Sequence, residues 1–275
     1  MKKGRLFKTL RAIIITIFSV WTLFPLYWLL NTSLKTNRQV LQSPPSFFPA
    51  HVVFSSYTYV FSNFGVYFVN SIITALGSTF LSVIVGVLAA YSLSRFKFPK
   101  GFVAITSFII LAVRMMLPIV FIVPLFQIFR QTNLYNTHIG LIFAYTLVNM
   151  PFVVWLMTSY FQEIPHALDE AALIDGCGRL KTLWAVIIPL ASPGIATTAV
   201  MAMIFTWNDL IFGLYLTSNS QAMTLPVSII GFLSQYQTYW SQMAAAGVVA
   251  IVPMVIFLLF VQKYLVRGLT VGGVK

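Results

Sequence analysis

Carboxylates, imidazoles and thiols carry most acid–base, metal and nucleophilic chemistry, and this chain of 275 residues has few of them. Its five acids are Glu163, Asp169, Glu170, Asp175 and Asp209, and the first four fall within one short stretch, EIPHALDEAALIDGCGRLKTLW, from Glu163 to Trp184. His51, His138 and His166 lie far apart in predicted loops, which excludes a metal site with local ligand spacing. Cys177 is the single cysteine, so neither an intramolecular disulfide nor a cysteine-based metal site is available. The stretch GCGRLK lacks the spacing of a phosphate-cradling G-x-x-x-x-G-K-[ST] loop, so this chain is not expected to hold ATP itself. No nucleophile or acid pair stands in catalytic context. An enzyme is therefore not expected, and the clustered acids point to recognition.

The elements that must position those acids are set by composition. With 59% hydrophobic and 8% charged residues, the chain is far more apolar than a soluble domain, which is about one quarter charged. The net charge of +12 does not imply nucleic acid, because Lys and Arg sit in short runs between apolar segments instead of on one face. Six stretches are long enough to cross a hydrocarbon core about 30 Å thick. They run over residues 12–30, 67–94, 102–129, 139–162, 185–216 and 243–261, with Arg114 interrupting the third and Asp209 the fifth. The first is too long for a signal-peptide core and lacks a small-x-small site after it, so it reads as a retained span. The expected fold is all-α, a six-span membrane protein forming one domain over residues 1–275.

Basic residues concentrate on cytoplasmic loops. With the N-terminus inside, the inner segments hold Lys2, Lys3, Arg5, Lys8, Arg11, Arg95, Lys97, Lys100, Arg179, Lys181, Lys263, Arg267 and Lys275, against Lys35, Arg38 and Arg130 outside. Both termini are thus expected in the cytoplasm, and the acidic stretch, residues 163–184, forms the second cytoplasmic loop. Outside, the prolines of Asn31 to Val66 argue for a folded cap. The Thr217 to Gln242 connection has no Lys or Arg, and its apolar piece LPVSIIGFL is too short to span. It is either re-entrant or a surface for a partner outside.

Within the acidic stretch, Pro165 suits a helix's first turn and Gly176 the left-handed residue just past its end. Helical spacing places Ile164, Ala167, Leu168, Ala171 and Ile174 on one face, with His166, Asp169, Glu170 and Leu173 mostly opposite. Two readings stand: a solvated surface helix with acids favoured near its N-terminus by the macrodipole, or a docking knob for a basic surface.

At these residues the chain resembles the permeases of ATP-binding-cassette importers. EAALIDG, followed after ten residues by IIPLASP, is similar to their EAA signature. The second-span segment NSIITALGSTFLSVIVGVLAAYSLSRFKFPKG, TWND in the fifth span and the tail GLTVGGVK resemble the carbohydrate-uptake branch and its MalG-like group. The resemblance implies the type I importer permease fold and a coupling helix that seats in a cleft of a separate cytoplasmic ATPase. Carried over, Glu170, Ala171, Ala172, Asp175 and Gly176 would be contact and hinge residues, with basic Arg179 close behind. Cys177 and Gly178 depart from the usual pattern after the glycine, though both remain small. The implied partners are a second permease in a heterodimer, two copies of the ATPase, which would hold the ATP and Mg, and an extracytoplasmic sugar-binding protein in a prokaryotic plasma membrane. This chain itself would bind no cofactor.

Other residues carry weaker expectations. A carboxylate at mid-bilayer costs about 2.5–3.5 kcal/mol, so Asp209, with Asn208 and Trp207, either lines a sugar path or lies near an interface or against another helix. Arg114 pairs with Asp209, faces the path, or snorkels. In the implied family the last outer loop reaches into the binding protein, which would make Pro226, Ser228, Gly231 and Phe232 contacts, and the tail Gly268–Lys275 would reach between the ATPases. The alternative is an ion-coupled transporter or channel working alone, for which Asp209 is the one intramembrane carboxylate.

Overall fold

The computed structural model describes residues 2–233 and 238–271, so the tail expected at Gly268–Lys275 lies partly outside the described residues. Among the described residues the chain is helical, with a single isolated bridge between Leu233 and Thr238 and no strand. Twelve helices follow one another: α1 Lys2–Ser33, α2 Asn37–Val40, α3 Ser55–Arg95, α4 Phe102–Met115, α5 Ile119–Gln131, α6 His138–Glu163, α7 Ala167–Ile174, α8 Arg179–Thr182, α9 Ile188–Trp207, α10 Ile211–Leu216, α11 Leu225–Ile230 and α12 Trp240–Val271. A π-helical turn, Leu183–Ile187, joins α8 to α9. Pro189, at the start of α9, has no N–H to give, and the wider turn carries the helix past that gap.

Among the described residues, five apolar helical runs are long enough to cross a membrane, and α4 with α5 makes the sixth if the pair counts as one broken span. The two halves of that pair meet at 90°. The break differs from the expected interruption at Arg114, which lies within the last turn of α4. Pro118 is the cause: it disfavours helical backbone at Leu117, and Met116 is already extended. The expected fifth span is likewise shorter, because its helix ends at Trp207 and the chain turns through Asn208 to Leu210 before α10. The outer cap is also smaller than expected, since α3 begins at Ser55.

Contacts divide the chain into two units, residues 1–65 with 228–252, and residues 66–227 with 253–275. In the first, Asn37 accepts from the Ser241 N–H at 3.0 Å and donates to Gln242 at 3.3 Å. Phe64 stacks on Phe232 with centroids 4.5 Å apart. Lys35 is buried over the Trp28 ring and donates to the Ser46 carbonyl, and desolvation lowers its pKa.

The second unit packs α3, α6 and α9 around Val87, Tyr91, Val153, Met157, Phe161, Leu183 and Ile187. Small residues permit the close approach, as is usual between membrane helices. A Cβ on Gly86 would fall 2.4 Å from Val153, and one on Gly194 would fall 2.6 Å from the Tyr160 ring. Polar side chains join the same three helices: Asn149 donates to Thr206 at 2.8 Å, and the Thr206 and Ser78 hydroxyls lie 3.2 Å apart. A membrane interior makes an unmade hydrogen bond costly, so these three buried groups satisfy one another.

Candidate functional site

The acidic loop starts where α6 stops. Ile164, as the residue before Pro165, is extended at φ −82° and ψ 125°, the conformation that a following proline favours. The helix α7 then runs for eight residues, Ala167–Ile174, between Pro165 and Gly176. Its end follows the sequence closely. Gly176 adopts φ +80°, its N–H reaches the Leu173 carbonyl at 3.1 Å, and the Cys177 N–H reaches the Ala172 carbonyl at 2.9 Å. That pair of bonds is the Schellman closure, for which glycine is favoured at the left-handed position.

Burial leaves the apolar face of α7 pointing outward. Asp169 and Ala172 are buried, whereas Ala167, Leu168 and Ala171 are exposed and Ile174 is 86% exposed. Glu170, Asp175 and Gly176 are exposed beside them. The outer surface of α7 is therefore an apolar ridge with an acidic margin. Periodicity alone assigns the apolar stripe to the chain's own core, but here a polar contact takes the inner side.

That contact is centred on Arg95, the last residue of α3. Its Nε lies 3.0 Å from Asp169 Oδ2, with both side chains almost fully buried. One terminal nitrogen donates to the Ile164 carbonyl at 2.8 Å and the other lies 3.2 Å from His166 Nδ1. A guanidinium has no acceptor, so His166 Nδ1 accepts. The Tyr91 hydroxyl, one helical turn earlier, donates to Asp169 Oδ1 at 3.2 Å. Removing one partner of such a pair costs about 3–5 kcal/mol, because the other charge is left buried alone. Arg179 does not join; its guanidinium lies 5.1 Å from the Phe96 ring centre. An open cleft of about 860 Å³ lies alongside, lined by Phe96, Lys97, His166, Glu170 and Arg179 among others. Sequence reading counted Arg95 only as a topology signal and missed Tyr91. No local spacing links them to Asp169.

The other candidates are not gathered with these. Trp207 is buried edge-on to Phe68, with centroids 5.8 Å apart, so its face is not offered to a sugar ring. Asn208 is exposed and donates to the Ile204 carbonyl. Asp209 accepts from the Phe212 N–H at 2.9 Å, capping α10. Arg114 does not pair with it: the guanidinium sits over Phe205 at 4.7 Å and Phe152 at 5.6 Å, on an exposed face beside the α4–α5 break. In the outer loop Pro226 is half-buried, Ser228 and Phe232 are buried, and Gly231 is exposed between Ile230 and Leu233.

Residues 82–271 match the family described as binding-protein-dependent transport system inner membrane component. The chain belongs to this family. Among its relatives, the sulfoquinovosyl glycerol transport system permease protein SmoH of Agrobacterium fabrum is 37% identical, over 98% of this chain and 94% of the relative. The trehalose/maltose transport system permease protein MalG of Thermococcus litoralis is 35% identical, over 94% of each. Among solved structures, a chain of a bacterial transporter that imports the acidic polysaccharide alginate superposes with a TM-score of 0.79 at 25% identity, covering 96% of this permease and 98% of that chain. The matched region of the permease contains α7 with its Schellman turn and the Arg95 contact.

Proposed function

We propose that this permease is one transmembrane subunit of an ATP-driven sugar importer in a prokaryotic plasma membrane. It works with a second permease, two copies of a cytoplasmic ATPase that binds the ATP and Mg, and an extracytoplasmic sugar-binding protein. The observation that carries this reading is the exposed ridge of α7, with Ile174 86% exposed beside Glu170 and Asp175. An isoleucine left in water forfeits about 1.5–3 kcal/mol that burial would supply. A partner cleft with apolar walls and a basic rim would recover it. Support for a second permease comes from α1, whose best apolar window over Phe7–Ser33 has no buried residue. The relatives' transport of sugars supports the substrate class, and exposed Ile230, Gly231 and Leu233 supply the binding-protein contact in place of Ser228 and Phe232.

Arg114 lies about 18 Å along α4 from its first residue, well inside a core of about 30 Å. A guanidinium at that depth is costly against lipid, so we assign it to the wet sugar path, held over two aromatic rings with its edge free for hydroxyls. Arg114→Leu should lower uptake about tenfold, the loss of one charged hydrogen bond, while ATPase recovery with the permease stays unchanged. Equal uptake by this variant removes Arg114 from the path.

The whole reading is tested by reconstituting the assembly in vesicles with the binding protein. Sugar uptake should require ATP and persist when ion gradients are collapsed. Uptake that follows an imposed proton or sodium gradient without ATP overturns it.

A further inference from the structure

We infer that Arg95 is a positioning residue that welds the coupling helix to the end of α3, so that ATPase movement reaches that span through side chains and not only through the chain. The inference rests on the reading of α7 as the coupling helix. Both covalent connections of α7 are turns. On one side stand extended Ile164 and Pro165; on the other stand Gly176 in a left-handed conformation, Cys177 and Gly178. A Cβ on Gly178 would meet nothing within 4 Å, although α7 also packs against α8 and the π-helical turn on that side. Turns of this kind transmit displacement poorly.

Arg95 bypasses the first of them. One guanidinium holds the Asp169 side chain inside α7, the His166 ring at its start and the Ile164 carbonyl before it, at 3.0, 3.2 and 2.8 Å. Its planar fork presents several donors in a rigid arrangement, which an ammonium cannot copy. Tyr91 braces the far carboxylate oxygen from the same helix. The loop entry and the first turn of α7 are thereby held as one body against the last turn of α3. The part of that helix within the second unit, residues 66–95, is about 45 Å long at helical rise, so a push on α7 is delivered along it. The outward ridge takes no part, and docking and transmission are separate functions of opposite faces.

The test uses the full assembly in vesicles and reads sugar transported per ATP hydrolysed, alongside recovery of the ATPase. A purely stabilising contact would lower the amount of assembly without altering that ratio. Arg95→Gln and Asp169→Asn should each lower the ratio about five- to tenfold, within the usual range of coupling between sites, with ATPase recovery retained. The exchanged pair Arg95→Asp with Asp169→Arg should recover part of it. Should the neutral variants fail to accumulate, Arg95→Lys decides, since it keeps the charge but cannot grip three acceptors together, and a ratio about fivefold lower is expected. An unchanged ratio in any accumulated variant of Arg95 or Asp169 overturns the weld while leaving the importer reading intact. A wild-type assembly from which no ATPase is recovered overturns both.

Discussion

Ile174→Asp leaves the permease folded in the membrane and strips it of its ATPase. The side chain is 86% exposed and belongs to no core cluster of this chain, so its replacement has no packing to break. At a docked interface the change removes the burial of one isoleucine, about 1.5–3 kcal/mol, and sets a new charge against Glu170 and Asp175. Each 1.4 kcal/mol is tenfold in affinity, so ATPase recovery should fall by about thirty- to a hundredfold while the second permease is still recovered. Leu168→Asp, at 40% exposure, should act in the same direction with a smaller effect. Titration of detergent-solubilised permease with the ATPase subunit reads both, and equal affinity of Ile174→Asp and wild type removes the ridge from the interface.

The second large effect is at Gly176. A side chain at φ +80° costs about 1–2 kcal/mol, so Gly176→Ala should lower uptake about five- to thirtyfold through loss of the closed turn. Gly176→Pro should abolish uptake, because proline cannot reach that φ and removes the N–H that meets the Leu173 carbonyl at 3.1 Å. Gly178 provides the contrast: its φ is −70° and the surrounding space is open, so Gly178→Ala should transport normally. Uptake assays of the three variants at equal membrane abundance check the ordering. Equal loss in Gly176→Ala and Gly178→Ala would contradict it.

These two glycines also mark what sequence can and cannot tell. The end of α7 is encoded locally, by a glycine following an amphipathic turn, and it was legible. The membrane character and the six apolar stretches were legible for the same reason, since each is a run of adjacent residues. Which face of α7 turns inward was not, because the answer depends on Arg95 in another helix, and an intramembrane protein reserves some apolar stripes for its partners. The third span illustrates a competing signal: a charge at Arg114 drew attention from Pro118, whose backbone restriction makes the bend. Trp207 was chosen as a residue type suited to stacking on a sugar, and Ser228 and Phe232 followed from the family resemblance, yet their burial against Phe68, within the α11 region and against Phe64 depends on nonlocal packing.

The central claim is that the outer ridge of α7 meets a separate ATPase. The most direct measurement replaces Cys177 by serine and Ile174 by cysteine, then treats membranes containing the whole assembly with a short thiol-to-amine cross-linker. The account predicts an adduct between this permease and the ATPase subunit, whose yield changes when ATP is added, and no such adduct from a cysteine placed at buried Ala172. Labelling of Ile174→Cys by a membrane-confined reagent without any ATPase adduct would contradict it, and would put the ridge in lipid instead.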